Sequence, residues 1–315
     1  MVFVEMGGRC GNQFFHYAVA RYIQIKTNDT NLVLNYNPVW NENREKEGWY
    51  DVLTEYKTVP YSYYSKHGTV LKNETNLVQK IMVGIKSLQI SLNKNKSRQV
   101  RAEKNAVGQR ALNFTGVYWV REGVNKVEVY PRKKSIVTGP CEASFIYEIQ
   151  SILQTELVPR NDVLPQNMKL IDDIRNSESV CVSVRRGDFF NNKNQKSFGV
   201  CNEAYYIKAI KLMKEKLNHK NNVKFYVFSD DIEWCKSHIP VGGGMGIYVS
   251  QNMPVYETLR LMYTCKHFVL SNSTFSWWGQ FLSTADNKIV VSPSRWNNDG
   301  YNSVLIGKDW ILIDC

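Results

Sequence analysis

The second half of the chain alternates short apolar runs with longer stretches of helical periodicity. The apolar runs are rich in β-branched and aromatic residues, as buried strands are, and they cover 180–184, 223–228, 267–270 and 289–291. One face of a helix predicted over 203–217 contains Tyr206, Ile210, Met213 and Leu217. Further helices are predicted through Trp234, over 254–265 and over 273–282. Strands that alternate with helices in this way predict a parallel, doubly wound sheet.

The first half begins with the same kind of unit. A strand predicted over 2–6 is followed by a glycine-rich turn over 7–13 and an amphipathic helix over 14–23. Strand, glycine-rich turn and helix are typical of nucleotide-binding α/β units, although the glycines lack the dinucleotide spacing. Further elements are strands over 32–34 and 117–120 and a helix over 144–157. The polar linker over 159–162 separates two predicted domains, 1–158 and 159–315.

Two stretches of the first half have a distinctive composition. Residues 35–65 are rich in Tyr, Trp and Asn, which suits sugar binding and equally suits ordinary loop packing. Apolar residues then recur at helical spacing, followed by a basic segment over 94–110; they are Leu77, Ile81, Ile85, Leu88 and Leu92. This helix could lie on an anionic membrane surface. The interpretation we favour is a solvated helix followed by a loop.

Composition restricts the class of protein. The chain has 315 residues, 43% of them hydrophobic, which is typical of a globular protein. We expect no secretory leader. No apolar run in the sequence approaches the ~18 residues of a membrane span. Seven cysteines without CxxC spacing predict reduced thiols in a cytoplasm and no zinc site. The formal charge of +11 indicates an anionic partner: nucleic acid, anionic lipid or a phosphorylated substrate.

Candidate chemistry follows the strand predicted over 180–184. Arg185 and Arg186 come directly after it, and Gly187 and Asp188 follow. Ligands of open α/β sheets bind at the carboxyl ends of strands, and the planar arginine side chain suits phosphate oxygens. These residues therefore suggest a pyrophosphate clamp. A surface ion pair between an arginine and Asp188 is the alternative.

Two other strand ends have related chemistry. Ser229, Asp230 and Asp231 follow one strand, and a carboxylate there could accept paired hydrogen bonds from a guanine base. A hydroxyl-rich segment, 271–279, begins a helix after another strand, where Ser273, Thr274 and Ser276 could hold phosphate. Each segment alone could be a simple helix N-cap. The three together favour a nucleotide-diphosphate site.

These motifs resemble those of the α-1,2-fucosyltransferases, glycosyltransferase family 11. The resemblance rests on GGRCGNQFFHYA at 7–18, RRGDF at 185–189, FSDD at 228–231 and SNSTFSWWG at 271–279, with Pro293 and Trp296 fitting the usual ending. It implies two Rossmann-like domains facing a cleft, in a GT-B-like fold. The family usually has a histidine at the position of Ser183, so the resemblance does not extend to that donor contact.

The resemblance also implies a reaction and its partners. It implies metal-independent, inverting transfer of L-fucose from GDP-fucose to a sugar hydroxyl, most often O2 of a terminal galactose. The domain 159–315 is then expected to bind the donor, and 1–158 to contribute the acceptor side. The acceptor would be a galactose-terminated oligosaccharide or a glycolipid. We expect a bacterial, cytoplasmic protein with a possible peripheral contact at an anionic inner membrane.

Roles can be assigned to individual residues on this basis. Arg186 is expected to stabilise the departing diphosphate, and Asp188 is a candidate base that could equally orient the arginines. Asp231 is the expected guanine contact, and His16 is interpreted as a packing residue. The predicted donor-binding residues are Gly11, Asn12, Arg185, Arg186, Asp231, Ser273, Thr274 and Ser276. No metal site and no cofactor are predicted.

Three alternatives remain at this point. The chain could be a glycosyltransferase with another GDP-sugar, such as GDP-mannose, or with another linkage. It could be a basic nucleic-acid-binding protein, although no recognition motif for nucleic acid is evident. It could be a membrane-surface or lectin-like module without catalysis, against which the arginine motif argues, because sugar binding alone requires no diphosphate clamp.

Overall fold

Two units make up the chain, each with its own parallel sheet. The computed structural model describes residues 1–190, 194–250 and 252–315. Contacts within it divide the chain into Met1–Glu156 and Leu157–Cys315. These are the N-terminal and C-terminal units.

The N-terminal unit contains five strands of the described chain in the order β3-β2-β1-β5-β4. The strands are β1 (Val2–Glu5), β2 (Leu32–Asn35), β3 (Ser62–Tyr63), β4 (Val117–Trp119) and β5 (Ser135–Thr138), and neighbours pair in parallel. The helices are α1 (Cys10–Thr27), α2 (Asn37–Trp40), α3 (Val70–Glu74), α4 (Leu77–Asn93), α5 (Arg98–Ala106), α6 (Gln109–Phe114) and α7 (Gln150–Glu156).

Strand β1 lies at the centre of this sheet, and both of its faces are covered. Val2 and Val4 are fully buried, and α1 packs against β1 and β5. Side chains of a strand alternate between its two faces, so Phe3 points the other way, into a cluster that includes Val70 and Ile136. A central parallel strand buried on both sides explains why this sequence is almost continuously apolar.

The C-terminal unit contains six strands within the described residues, in the order β11-β10-β9-β6-β7-β8. They are β6 (Glu178–Val184), β7 (Val223–Ser229), β8 (Gly246–Tyr248), β9 (His267–Val269), β10 (Val290–Pro293) and β11 (Ile311–Ile313), again paired in parallel. The helices are α8 (Met168–Arg175), α9 (Gln195–Phe198), α10 (Glu203–Lys216), α11 (Ile232–His238), α12 (Val255–Thr264) and α13 (Thr274–Leu282).

Apolar layers cover both faces of the second sheet. Val180, Val182 and Val184 of β6 pack in one cluster with Ile210 and Met213 of α10. Cys181, between two of those valines, points into the opposite cluster, which contains residues of α8 and α12. The alternation along one strand thus builds a three-layer α/β unit, the doubly wound arrangement predicted from the sequence.

Most of the predicted elements are present. The elements that were missed are β3, β5, β8, β11, α2, α3, α8 and α9. Strand β5 has only four residues next to the polar run 132–134, so periodicity gave little signal. The favoured interpretation of 71–110 is wrong in one respect, because α5 and α6 occupy much of the segment predicted as a loop. The apolar residues that predicted this helix also point to solvent and not to the core; they are Leu77, Ile81, Ile85, Leu88 and Leu92.

Candidate functional site

Strand register brings the predicted charged residues of the C-terminal unit together. Val184 at the end of β6 pairs with Ser229 at the end of β7. The residues that follow the two strands, Arg185 and Asp230, therefore emerge side by side at the carboxyl edge of the sheet. Strand β9 is the other neighbour of β6, so the segment after it, which begins at Leu270, emerges at the same edge.

Aspartates hold the first arginine from two sides. The Arg185 guanidinium donates from Nη2 to Oδ1 of Asp188 at 2.6 Å and lies 2.9 Å from Oδ2 of Asp230 through Nη1. Both side chains that face Arg185 are only partly exposed. A charged hydrogen bond in such surroundings is stronger than an exposed ion pair. The orientation of Arg185 is consequently fixed by Asp188 and Asp230.

Arg186 is held by a different set of contacts. Its backbone N–H donates to Oδ1 of Asp230 at 2.8 Å, and its Nε lies 3.4 Å from Oδ2 of Asp231. The guanidinium carbon lies 3.6 Å from the ring centroid of Trp234 and 4.9 Å from that of Phe190. These contacts engage Nε and the π face of the group, and they do not involve its two terminal nitrogens. A guanidinium supported in this way retains two donors suited to a bidentate phosphate contact.

The turn between the strand and these contacts requires glycine. A Cβ on Gly187 would lie 2.5 Å from Oδ2 of Asp230, closer than side-chain atoms approach one another. Asp230 can therefore reach Arg185 and the backbone of Arg186 only because position 187 has no side chain. Sequence analysis assigned Asp230 and Asp231 together to the base and the helix start and preferred Asp231 for guanine. The two bonds of Asp230 to the arginine segment make it a positioning residue.

Asp231 has a local structural role in addition to its predicted one. It is the N-cap of α11 and accepts the backbone N–H of Trp234 at Oδ1, 3.2 Å away. Its other oxygen faces Arg186. Asp231 is therefore both the helix N-cap of the alternative interpretation and an ion-pair partner of Arg186. Contact with a guanine base remains a prediction.

The hydroxyl-rich segment has accessible and inaccessible members. Ser273 is the N-cap of α13, and neither Ser273 nor Thr274 is fully buried. Ser276, in contrast, is completely buried, and its Oγ accepts the backbone N–H of Ser271 at 3.3 Å. Asn272 bonds the backbone oxygens of Phe198 and Trp296 through its side-chain amide. Ser273 and Thr274 are thus partly exposed to solvent. The Ser276 hydroxyl is instead used in a hydrogen bond inside the protein.

The glycine-rich turn of the N-terminal unit precedes α1. Gly8 has a φ of +71°, and a Cβ there would lie 2.4 Å from the amide nitrogen of Asn12. Gly11 is buried in the first turn of α1, and Asn12 is exposed. Gln13 is buried, and its amide bonds the backbone oxygens of Gly8 and Tyr50 at 3.0 and 2.8 Å. The amide of Gln13 therefore stabilises the turn.

A cavity of about 440 Å³ lies at the carboxyl ends of β1 and β5, beside this turn. We call it the β1–β5 cavity. His16 lines it and bonds the carbonyl oxygen of Gly139 through Nε2 at 2.8 Å. A carbonyl only accepts, so Nε2 holds a proton. Burial lowers the pKa of His16 to about 4, which keeps the ring neutral near pH 7. The packing interpretation of His16 is confirmed, and its bond to Gly139 positions one wall of the cavity.

An aromatic cluster occupies part of the segment 35–65. Asp51 accepts the hydroxyl groups of Tyr36, Tyr61 and Tyr63 at 2.5, 2.7 and 2.8 Å. The ring of Trp40 lies 5.5 Å from that of Tyr63, and the two residues are 47% and 48% exposed. Tyr36 and Asp51 are buried and bonded to each other, which is ordinary packing within a loop. Trp40 and Tyr63 instead present an aromatic surface to solvent.

Metal-binding clusters and membrane-spanning helices are both absent from the described residues. In 1–190, 194–250 and 252–315, no group of three or more His, Cys, Asp or Glu side chains is arranged to hold a metal ion. No helix of this part of the chain combines the length and apolar content needed to cross a bilayer.

Comparison with known proteins identifies relatives. The family model described as glycosyl transferase family 11 matches residues 142–314. An alpha-1,2-colitosyltransferase of Escherichia coli is 39% identical over 41% of this chain and 44% of its own length. The O-antigen biosynthesis glycosyltransferase WbnK of the same species is 34% identical over 43% and 45%. The matched segments thus span less than half the length of either relative.

A solved structure extends the likeness to the whole fold. NodZ alpha-1,6-fucosyltransferase, soaked with GDP-fucose, superposes with a TM-score of 0.50 over 95% of this chain and 96% of its own. A crystal structure of fucosyltransferase NodZ from Bradyrhizobium superposes with a TM-score of 0.51. The sequence identity is 12%, so the likeness shows the fold alone. The predicted α/β fold of GT-B type, with two Rossmann-like units, is confirmed.

Proposed function

This chain belongs to glycosyl transferase family 11, and we propose that it transfers L-fucose from GDP-fucose to O2 of a terminal galactose with inversion. The observation behind this proposal is the pair Arg185 and Arg186, fixed by aspartates at the carboxyl edge of the C-terminal sheet. This pair lies within the segment that the family model matches. The name of the alpha-1,2-colitosyltransferase supports the α-1,2 linkage and the transfer of a deoxy sugar.

The chemical demand of the reaction fits the arginine pair. The bond between fucose C1 and the β-phosphate oxygen breaks, the acceptor oxygen bonds to C1, and GDP departs with the electron pair. Negative charge grows on the diphosphate as this happens. Arg186, whose terminal nitrogens are not engaged by Asp231, would donate to that charge where it develops. Arg185 would supply the second positive charge.

The other proposed donor contacts differ in how well the structure supports them. Ser273 and Thr274 at the start of α13 are accessible for phosphate, while the burial of Ser276 supports an indirect role. Asp231 would accept from guanine with the oxygen that now faces Arg186. Gly11 and Asn12 would approach the diphosphate from the start of α1. Asp188 is bonded to Arg185, which supports an orienting role over that of a base.

Metal independence is part of the proposal. Two guanidinium groups can neutralise a departing diphosphate without a divalent ion, because their charge requires no proton and no coordination sphere. Removal of metal with EDTA tests this directly.

The acceptor would bind the N-terminal unit. Trp40 and Tyr63 present aromatic faces of the kind on which the C–H faces of a sugar ring stack. Their positions are fixed from beneath, since Tyr63 bonds Asp51 and Trp40 stacks on buried Tyr36 with ring centroids 5.7 Å apart. A rigid, exposed aromatic pair supports a galactose-terminated oligosaccharide or glycolipid as the acceptor.

A reducing compartment is proposed for the protein. The seven cysteines are free thiols, and six of them are buried. Thiols that remain unpaired are typical of a cytoplasm. We propose that the enzyme works there, at the inner face of a membrane if its acceptor is lipid-linked.

A second candidate donor is the nucleotide-activated form of colitose. The relative that is 39% identical is named a colitosyltransferase, and contacts to a diphosphate do not distinguish the sugar attached to it. The reaction class, the arginine roles and the linkage are the same for both donors.

Acceptor-dependent GDP release by the purified chain tests the function. GDP-fucose, GDP-mannose and the colitosyl nucleotide are compared, each with and without lactose, and the product linkage is determined by NMR. We expect lactose-dependent release from GDP-fucose and an α-1,2 product. Faster release from the colitosyl nucleotide would select the second candidate. If no donor is turned over and GDP does not bind, the proposed function is wrong.

A further inference from the structure

We propose that Glu142 is the base that takes the proton from the acceptor hydroxyl, and that the β1–β5 cavity is the site of the acceptor sugar. The inference rests on the proposed function and adds a catalytic residue that sequence analysis did not find. The first observation is the chemistry of the cavity. Of the described residues that line it, none is Lys or Arg. A cavity lined without cations suits a neutral, hydroxyl-bearing ligand better than a charged phosphate. Asn12 is the one lining residue that the proposed function directs to the diphosphate.

Two carboxylates line this cavity, and they differ in what they bond. Glu5 accepts the side-chain amide of Asn35 at 2.8 Å and the backbone N–H of Val70 at the start of α3. Its oxygens therefore hold the sheet and a helix together. Glu142 makes neither of these bonds to the sheet and α3, and the opposite charge that acts on it is the Arg98 guanidinium. Glu5 is therefore committed to the fold, and Glu142 is the carboxylate of the cavity that we assign to a ligand.

The backbone before Glu142 is unusual for its residue type. Cys141 has a φ of +61°, which side-chain-bearing residues rarely adopt, and Gly139 has a φ of +96°. A Cβ at Gly139 would lie 2.3 Å from the carbonyl oxygen of Val120. The bond from His16 to the Gly139 carbonyl fixes the same turn. Strained backbone that is held by surrounding contacts is common at functional sites, and here it directs Glu142 to the cavity.

The charges around Glu142 suit a base. Burial raises the pKa of this carboxylate, the Arg98 guanidinium opposes that shift, and the Glu122 carboxylate adds to it. Burial also raises the pKa of Glu5 across the cavity, while His16 stays neutral. A carboxylate with a raised pKa is a better proton acceptor and still ionises below neutral pH. In the proposed step, the proton of the acceptor O2 moves to Glu142 as O2 bonds to fucose C1 and GDP leaves.

Substitution of Glu142 by Gln tests the assignment, because it retains size and removes basicity. We expect kcat to fall by about 10²-fold or more, with the KM for lactose and the affinity for GDP within about threefold of the parent. Glu142→Asp should recover part of the rate. Glu148→Gln is the matched control, since Glu148 is an exposed glutamate of the same unit that pairs with Lys26.

The outcomes separate this inference from the proposed function. If the parent enzyme turns over and Glu142→Gln keeps more than a third of its kcat, the base assignment is wrong. If Glu142→Gln loses GDP affinity or unfolds at a lower temperature along with its activity, Glu142 is structural and the assignment is also wrong. Failure of the proposed function itself would appear in the parent enzyme as an absence of turnover.

A different observation supports a second inference, on the surface of α4. We infer that one face of this helix docks on an anionic bilayer. Six residues of that face are 56–75% exposed; they are Leu77, Val78, Ile81, Ile85, Leu88 and Leu92. We call them the α4 stripe. At 100° per residue they occupy one continuous arc of the helix. Met82 and Val83, outside that arc, pack on the core of the unit, so the helix is apolar on two sides.

The charge beside the α4 stripe indicates which partner covers it. Helix α5 packs against α4, and the buried Lys86 of α4 bonds the carbonyl oxygen of Asn105 in α5. The segment 94–110 contains six basic residues and one acidic residue, Glu103. Arg101 and Arg110 pair with Glu122 and Glu128, and Arg98 faces Glu142. The positive charge beside α4 therefore comes from the three lysines, Lys94, Lys96 and Lys104. Apolar residues beside a cluster of cations suit the headgroup region of an anionic bilayer. A second copy of the chain on this face would bring two such basic segments together, which like-charge repulsion disfavours.

Flotation with vesicles tests this inference on the full chain. The probes are vesicles of phosphatidylcholine alone and of phosphatidylcholine with phosphatidylglycerol, at low and high salt. We expect binding only to the anionic vesicles, weakened by salt, and reduced at least tenfold by Ile85→Glu with Leu88→Glu. Both positions are exposed, so the fold should persist. Ile207→Glu is the control, as Ile207 is 46% exposed on α10 of the other unit.

Either of two results would overturn the membrane inference. One is equal vesicle binding by the parent and the double variant. The other is a concentration-dependent dimer that the double variant abolishes, combined with no vesicle binding, which would assign the α4 stripe to a second copy of the chain.

Discussion

The guanidinium of Arg186 lies over the indole ring of Trp234, 3.6 Å from the ring centroid. Trp234 also donates its backbone N–H to Asp231, the residue that pairs with Arg186. One turn of α11 therefore supports the arginine from its π face and from its Nε edge. A positive charge positioned this firmly loses little freedom when a diphosphate binds, which favours stabilisation of the transition state.

Arg186→Lys should lower kcat by about 10²-fold or more, as loss of one key donor to a developing anion does. Lysine keeps the charge but not the planar group that covers Trp234 and bridges two oxygens. The measurement is acceptor-dependent GDP release. Arg175→Lys, at an exposed arginine of α8, should leave the rate unchanged. Retention of most turnover by Arg186→Lys would contradict the clamp.

Asp230→Asn should weaken donor binding. The substitution can preserve an acceptor for the backbone N–H of Arg186, but it removes the charge that faces Arg185. Misplacement of Arg185 should raise the KM for GDP-fucose by on the order of tenfold to hundredfold without a comparable change in thermal stability. Calorimetric titration with GDP measures this. An unchanged affinity for GDP would show that Asp230 does not position the arginines.

Activity should be undiminished after treatment with EDTA. The arginine pair can supply the charge that a divalent ion supplies in metal-dependent transferases. The measurement compares initial rates in EDTA with rates in Mg²⁺ or Mn²⁺. Dependence on either ion would remove metal independence from the proposal and leave the family assignment unaffected.

Trp40→Ala should raise the KM for the acceptor and leave that for GDP-fucose unchanged. Trp40 is exposed and stacks on Tyr36, so its removal takes away aromatic surface and little core packing. Stacking on one ring contributes about 1 kcal/mol, or roughly fivefold to tenfold in KM. Trp49→Ala, in the same segment, is the control. A change confined to the donor KM would contradict the acceptor role.

Glu74 should stabilise the N-terminal unit in a pH-dependent way. The Lys134 and Lys66 side chains, 2.7 and 2.6 Å from its oxygens, lower the pKa of Glu74 to about 2. A carboxylate with a depressed pKa stabilises the fold above its ordinary value of 4.5, and this contribution is lost as the pH falls toward 2. Glu74→Gln should therefore cost about 1 kcal/mol at pH 7.

Melting temperatures of the parent and Glu74→Gln between pH 7 and pH 3 measure this difference. It should shrink as the pH falls below about 4.5, the ordinary value. The control is Glu47→Gln, which removes an exposed glutamate paired with Arg44. A difference that stays constant with pH would show that the ion pairs of Glu74 do not contribute.

Local sequence patterns predicted the strands and the residues at their ends. Strand β6 is recognisable because a central parallel strand is apolar on both faces, and Arg185 and Arg186 follow it without interruption. Strand β5 was not recognisable, although it lies beside β1, because four residues give too short a pattern. Glu142 follows β5, so the residue that we propose as the base was missed along with its strand.

The sequence by itself determined the α/β class, the family resemblance and the residues of the arginine motif, because these depend on periodicity and on spacing along the chain. Only the tertiary structure decided which side chains meet. It paired Asp230 with Arg185, buried Ser276, and left Ile85 and Leu88 in solvent where helical periodicity alone predicts nothing about burial. The reason is physical: a pattern defines a face of a helix or strand, but the packing of distant segments decides what that face contacts.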